Sequence, residues 1–189
     1  MSDRLLGLFA KQPVAGMVKT RLAAETSAEW AARVAEAFLL DSLDRLATLD
    51  VPRVIAHAPA EAAPYFTPCA AGRFQLEPQA AGDLGQRMAA FFTAHLAHAE
   101  RVVLVGSDAP SLPTGHIEQA FAELAHADIV IGPASDGGYY LIGCARQLPP
   151  IFTGVRWSSS YVLADTIARL EDSGLFLALL PPWYDVDTL

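Results

Sequence analysis

The stretch Arg101-Val-Val-Leu-Val-Gly-Ser-Asp-Ala-Pro-Ser-Leu112 constrains the fold of this 189-residue chain more than any other. Val102 to Val105 is an unbroken, mostly β-branched apolar run, the pattern of a strand covered on both faces of a parallel sheet. Gly106 lets the backbone turn sharply and puts Asp108 where the strand ends. In open α/β sheets, ligands collect outside the carboxyl ends of the strands. A carboxylate delivered there can hold a divalent cation on a phosphorylated substrate. The other reading of Asp108 is a turn cap, with Pro110 restricting the residue before it.

The rest of the chain alternates in the same way. Apolar runs at Leu5–Phe9, Val54–Ala56, Phe74–Glu77, Asp128–Ile131, Tyr139–Ile142 and Leu177–Leu180 read as further strands. Between them, a helix from about Ser27 to Leu46 is opened by a capping box of Thr26 and Glu29, with Trp30, Val34 and Phe38 on one face. A short alanine-rich helix is interrupted or bounded by Pro64, and Gln79–Gly85 is a glycine-bearing loop leading into a helix with Arg87, Met88, Phe91 and Phe92. Thr114 caps a helix burying Ile117, Phe121 and Leu124, and a last helix runs from about Tyr161 to Leu170. Trp30, Phe38 and Phe121 read as core. Alternating strands and helices predict an α/β fold: a doubly wound, mostly parallel sheet with helices on both faces. With no internal repeat or long linker, residues 1–189 read as one domain.

Composition narrows the function. A net charge of −8 argues against a general nucleic-acid binder, which would want a basic face. No apolar run approaches the ~20 residues of a membrane span, and no signal-peptide pattern precedes Leu5. Cys69 and Cys144 lack paired-ligand spacing and read as reduced thiols, so a cytoplasmic protein is expected.

Against this acidic background, Lys11, Lys19 and Arg21 fall within eleven residues after the first strand, with Gly16 turning the loop between them. Lysine charges, an arginine fork and backbone N–H groups are what phosphate oxygens need. The spacing is neither a P-loop nor a dinucleotide-binding glycine motif. A solvated basic loop is the alternative. Carboxylates at strand ends or loops form a second set: Asp83, Asp108, Asp136, Asp185 and Asp187. Asp185 and Asp187 are two apart, so in extended chain only one can face a common site. Gly137 and Gly138 leave the backbone bare beside Asp136, either for a ligand or as a hairpin turn. His95 and His98 share a helix face without a third ligand and read as surface residues. Ser158–Ser160 reads as a helix cap or hydroxyl contact.

Six ordered motifs carry a resemblance that spans the chain: Phe9-Ala-Lys-x-Pro-x-x-Gly-x-x-Lys-Thr-Arg-Leu22, Gly82-Asp-Leu-Gly-x-Arg-Met88, Gly106-Ser-Asp-x-Pro110, Gly132-Pro-x-x-Asp-Gly-Gly-Tyr-Tyr-Leu-Ile-Gly143, Trp157-Ser158 and Asp185-Val-Asp-Thr188. The set resembles the DUF2064, glycosyltransferase A-like family (rSAM/selenodomain-associated transferase 1). That family is related to 2-phospho-lactate guanylyltransferase and molybdenum cofactor guanylyltransferase. The resemblance implies the nucleotide-diphospho-sugar transferase (GT-A-like) fold and Mg²⁺- or Mn²⁺-assisted transfer from a nucleotide. Lys19 and Arg21 would then hold phosphates, with Lys11, Gly16, Asp83, Arg87 and Ser107 completing the nucleotide site. Lys19 and Asp108 would be catalytic, Asp108 and Asp187 would bind the metal, and Asp136, Gly137, Gly138, Trp157 and Asp185 would line the acceptor pocket. The chain departs from glycosyltransferases in having Ser107-Asp108-Ala109 where Asp-x-Asp is usual. It departs from nucleotidyltransferases in lacking Gly-Gly-x-Ser-x-Arg-Met after strand one. Relatives are also expected to continue past Leu189 into a short helix.

The expectation is therefore nucleotidyl transfer from a nucleoside triphosphate to a small phosphorylated or acidic acceptor. Glycosyl transfer from a nucleotide sugar and nucleotide binding without turnover are the alternatives. No nucleic-acid or membrane partner is expected, and a homodimer is compatible with the sequence.

Overall fold

The computed structural model describes residues 3–171 and 173–184. Seven strands form one sheet in the order β3-β2-β1-β4-β6-β5-β7. They are β1 (Arg4–Lys11), β2 (Arg53–Ala58), β3 (Gln75–Pro78), β4 (Arg101–Gly106), β5 (Ile129–Pro133), β6 (Tyr139–Ala145) and β7 (Leu177–Leu179). The helices are α1 (Thr20–Glu25), α2 (Ala28–Leu46), α3 (Ala63–Ala70), α4 (Leu84–Leu96), α5 (Thr114–Glu123) and α6 (Val162–Glu171).

β3, β2, β1 and β4 pair in parallel, as do β5 and β7. β6 runs antiparallel to both β4 and β5. The exception has a simple cause. Only residues 134–138 separate β5 from β6, and a parallel return needs a crossover of a dozen residues or more.

β4 carries the two-faced burial its sequence predicts. Val103 and Val105 join a core with Leu39 and Leu43 of α2, Phe66 of α3 and Ile117 and Phe121 of α5. Val102 and Leu104 join the opposite core, with Met88, Phe91 and Phe92 of α4 and Leu170 of α6. All four β4 side chains are at most 3% exposed, and burial of each contributes about 1.5–3 kcal/mol. Helices thus cover both faces, and no described helix is long and apolar enough to cross a membrane.

Several local expectations change. Ser27, not Thr26, caps α2, its hydroxyl accepting from Trp30 N at 3.1 Å, while Thr26 donates to Leu22 O. Trp30 lies on the outer side of α2 and is 37% exposed, whereas Phe121 is buried and Phe38 half-buried. Pro113 occupies the cap position of α5, so Thr114 is its first residue and makes no cap hydrogen bond. Pro64 sits in the first turn of α3, where the missing N–H costs nothing.

A crevice at the carboxyl edge of the sheet

Strand order reverses between β1 and β4, since β2 and β3 lie beyond β1 on one side and β6, β5 and β7 lie beyond β4 on the other. Such a switch point opens a crevice at the carboxyl edge because the flanking connections leave in opposite directions. A cleft of about 270 Å³ lies there, lined among others by Phe9, Lys11, Met17, Lys19, Gln79, Leu84, Ser107 and Asp108. A second cleft of about 270 Å³ shares Phe9 and Gln79 and extends past Glu77, Arg87 and Phe91. A pocket of about 180 Å³ bounded by Lys19, Thr20, Arg21 and Asp108 adjoins the first. A larger cavity, about 560 Å³, lies at the opposite edge between Asp3, 96–100 and Arg146. It lies at the amino ends of β1 and β4, away from the edge where ligands of open α/β sheets collect and where the basic loop meets Asp108, so the switch-point crevice is the stronger candidate.

Lys19 and Asp108, 89 positions apart, meet in this crevice. Lys19 Nζ lies 2.6 Å from Asp108 Oδ1, with the lysine side chain 3% exposed and the aspartate 60%. The ammonium also stands 5.5 Å from the centre of the Phe38 ring, a cation–π distance. Lys19 precedes α1 with φ 46° and ψ 47°, a left-handed conformation disfavoured for a residue with a side chain. Lys11, at the end of β1, donates from Nζ to Met17 O at 2.6 Å and so ties the loop around Gly16 to the strand. Arg21 is exposed on the first turn of α1 and completes the basic rim. Lys11, Lys19, Arg21, Ser107 and Asp108 therefore line adjoining parts of one crevice.

Asp83 and Arg87 have structural partners of their own. Asp83 caps α4, accepting from Gln86 N at 2.8 Å while Gln86 Oε1 accepts from Asp83 N at 2.9 Å, a reciprocal capping box. Arg87 Nε donates to Gly82 O at 2.8 Å and lines the second cleft. Gln79, which charge and motif patterns pass over, borders both clefts; its Nε2 donates to Ala56 O at 2.9 Å. Its place just after β3 was the available signal. His98 is exposed, as read, but His95 is half-buried and partnered: its Nε2 stands 3.1 Å from both carboxylate oxygens of Glu77, and its ring is 4.4 Å from that of Phe91.

The Asp136 turn lies at the same edge, because Leu141 pairs with Val105 on one side and Gly132 on the other. It is the hairpin reading that the structure bears out. Asp136 Oδ1 accepts from Gly138 N at 2.8 Å, and Gly137 O accepts from Leu163 N at 2.9 Å, docking the turn on α6. A Cβ on Gly137 would lie 2.2 Å from Ser160 O, so protein backbone takes up the space left free for a ligand in the sequence reading. Trp157 packs on Gly85 and Phe152, joining the β6–α6 connection to α4.

Residues 183 and 184 reach the loops that follow β4 and β5. Trp183 bridges Ala134, donates from Nε1 to Ser111 Oγ at 3.3 Å and stacks on Tyr184. Ser111 in turn donates to the Tyr184 hydroxyl at 3.1 Å, three residues on from Asp108. Tyr140 donates to Pro181 O at 2.9 Å and stands 3.1 Å from His116 Nδ1; burial pushes its phenol up to about 12, so it remains a donor. Asp185 and Asp187 lie outside the described residues. Burial also pushes the Cys144 thiol up, consistent with an inert core cysteine.

Mg²⁺ binds through one or two carboxylates together with substrate phosphates and waters. Asp108, a hard donor at an open strand end, fits one such place. Among the described residues no three His, Cys, Asp or Glu side chains converge. Of the described residues, Asp108 would offer one ligand to an ion shared with a phosphorylated substrate.

Comparison with known proteins agrees with this architecture. A protein from Desulfovibrio desulfuricans G20, whose naming as a nucleotide-diphospho-sugar transferase is provisional, is 37% identical, with TM-score 0.92 over 100% of this chain and 84% of that one. A cytidylyltransferase from Leptospira borgpetersenii serovar Hardjo-bovis (strain JB197) is 10% identical, with TM-score 0.64 over 98% of this chain and 78% of that one. A CMP:2-keto-3-deoxy-manno-octonic acid synthetase complexed with CTP is 9% identical, with TM-score 0.60 over 98% and 93%. At such identities these two speak for the fold alone. No curated protein matches. The model of the DUF2064 family, "Uncharacterized protein conserved in bacteria", matches residues 40–159, so the chain belongs to that family and has the nucleotide-diphospho-sugar transferase fold.

Proposed function

We propose that this transferase moves a nucleotidyl group from a nucleoside triphosphate to a small phosphorylated or acidic acceptor, assisted by Mg²⁺ or Mn²⁺. The observation that carries the reading is the Lys19–Asp108 pair at the switch point, with clefts running away from it on the β1–β3 side. The two neighbours that share only the fold bear the names of nucleotidyl-transferring proteins, one of them holding CTP. In this reading an acceptor oxygen attacks the α-phosphorus, the bond to the β-phosphate oxygen breaks and pyrophosphate leaves. Lys19, Arg21 and Lys11 hold and orient the phosphates, and Ser107 stands beside them. A divalent ion held by Asp108 and Asp187 would neutralise charge gathering on the phosphates. An ionised phosphate or carboxylate acceptor needs no general base, so positioning and charge neutralisation suffice.

The D. desulfuricans relative's provisional name favours a second reading, glycosyl transfer from a nucleotide sugar. One experiment separates them. The protein is incubated with each nucleoside triphosphate or nucleotide sugar, Mn²⁺ and a panel of phosphorylated and acidic acceptors, and the released phosphates are identified. Pyrophosphate from one triphosphate, abolished in Asp108→Asn, is expected. Nucleoside diphosphate from a nucleotide sugar would replace the proposal with glycosyl transfer. Saturable triphosphate binding that survives Asp108→Asn without product would mark a binding protein.

A further inference from the structure

We infer that the Lys19 ammonium occupies the cation position on Asp108, so that the nucleotide-free protein excludes a free divalent ion. Given the nucleotidyl-transfer reading, on which this part rests, the ion then enters as a cation–triphosphate complex. Three observations converge. The ammonium is 2.6 Å from the carboxylate, inside the distance at which a second cation could share that oxygen without strong repulsion. The contact is lopsided, with a buried ammonium against an open carboxylate. The lysine therefore neutralises Asp108 from the protein side and leaves the crevice side for a ligand. Lys19 also reaches this place from a left-handed backbone with its charge against Phe38, an arrangement that local preference opposes and tertiary contacts enforce.

A bare dication approaching Asp108 would meet a carboxylate whose charge is already balanced by its neighbour. A triphosphate changes that balance. It brings more negative charge than the ion it carries can neutralise, and it offers the flexible ammonium new oxygen partners within the basic rim of Lys11 and Arg21. Lys19 then hands Asp108 to the ion and takes a phosphate in exchange.

The test is Mn²⁺ binding to nucleotide-free protein, read from the electron paramagnetic resonance signal of the free ion. Wild type is compared with Lys19→Met, Lys19→Gly and Lys11→Met. Glycine adopts the left-handed backbone freely, so Lys19→Gly removes the ammonium without adding backbone strain. Both Lys19 variants are expected to bind Mn²⁺ at least about tenfold more tightly than wild type, as loss of a unit positive charge beside the site requires. Introducing Asp108→Asn into Lys19→Gly should cancel the gain. Lys11→Met removes a charge from the same crevice, but its ammonium sits on a carbonyl and not on Asp108, so its gain in Mn²⁺ affinity should be clearly smaller. Lys19 variants no tighter than wild type, or an equal gain in Lys11→Met, would overturn the inference. The nucleotidyl-transfer reading fails separately, if no triphosphate raises Mn²⁺ affinity in wild type while the nucleotide-free gain persists.

Discussion

Gly85 and Trp157 show how a residue's role can be visible in sequence while its partner is not. Both belong to motifs that suggest ligand contact, and they lie 72 positions apart. In the fold they touch: a Cβ on Gly85 would lie 2.6 Å from Trp157 Cζ2. The glycine of α4 is thus small because an indole lies on it. Gly85→Ala gains up to about 1 kcal/mol of helix preference but forces Trp157 out of its packing against Phe152, an overpacking cost of about 1–3 kcal/mol. A lower denaturation midpoint is expected, with red-shifted tryptophan emission in the native state. Unchanged midpoint and emission would mean that Trp157 yields without loss. Lys19 and Asp108 were legible individually because strand ends and clustered cations have chemical signatures. Their contact was not, because nothing local encodes a pairing across the sheet.

At the level of elements, all seven strands could be read from apolar runs, while the six-residue α1 could not. It has no side-chain cap and buries only Leu22, so neither periodicity nor capping announces it. α6 has a clearer device at its entrance. Arg156 donates from Nε and Nη2 to the two carboxylate oxygens of Asp165, its backbone N–H adds a third bond, and its guanidinium covers the Tyr161 ring at 4.0 Å. These bonds to Arg156 hold the Asp165 carboxyl down at about 2, below the 3.8 of an unperturbed aspartate. A depressed folded value means that the stabilisation is complete above pH ~4 and is lost as pH falls through about 2. In Asp165→Asn that component is missing at every pH. The stability difference between wild type and Asp165→Asn, from urea unfolding, should therefore be constant above about pH 5 and shrink steadily toward pH 2. A difference that does not vary with pH would show that the pair is screened and only the loop geometry matters.

For the molecule as a whole, strand order decides where a ligand can be felt. β1 and β4 have neighbours on both sides and helices on both faces, whereas β3 and β7 close the two edges with four and three residues. Amide exchange in β1 and β4 should thus require global unfolding, while β3 and β7 exchange through local opening. The same map tests the choice between cavities. A nucleoside triphosphate with Mn²⁺, bound at the carboxyl edge, should add protection to the loop after β1, to 79–84 and to 106–112, where the clefts and the Lys19–Asp108 pair lie. The opposite edge, at 96–100 and around Arg146, should change only as far as global stability rises. Protection confined to that edge would move the functional site to the larger cavity, because a switch-point crevice has no means of ordering the far ends of its own strands without first ordering the near ones.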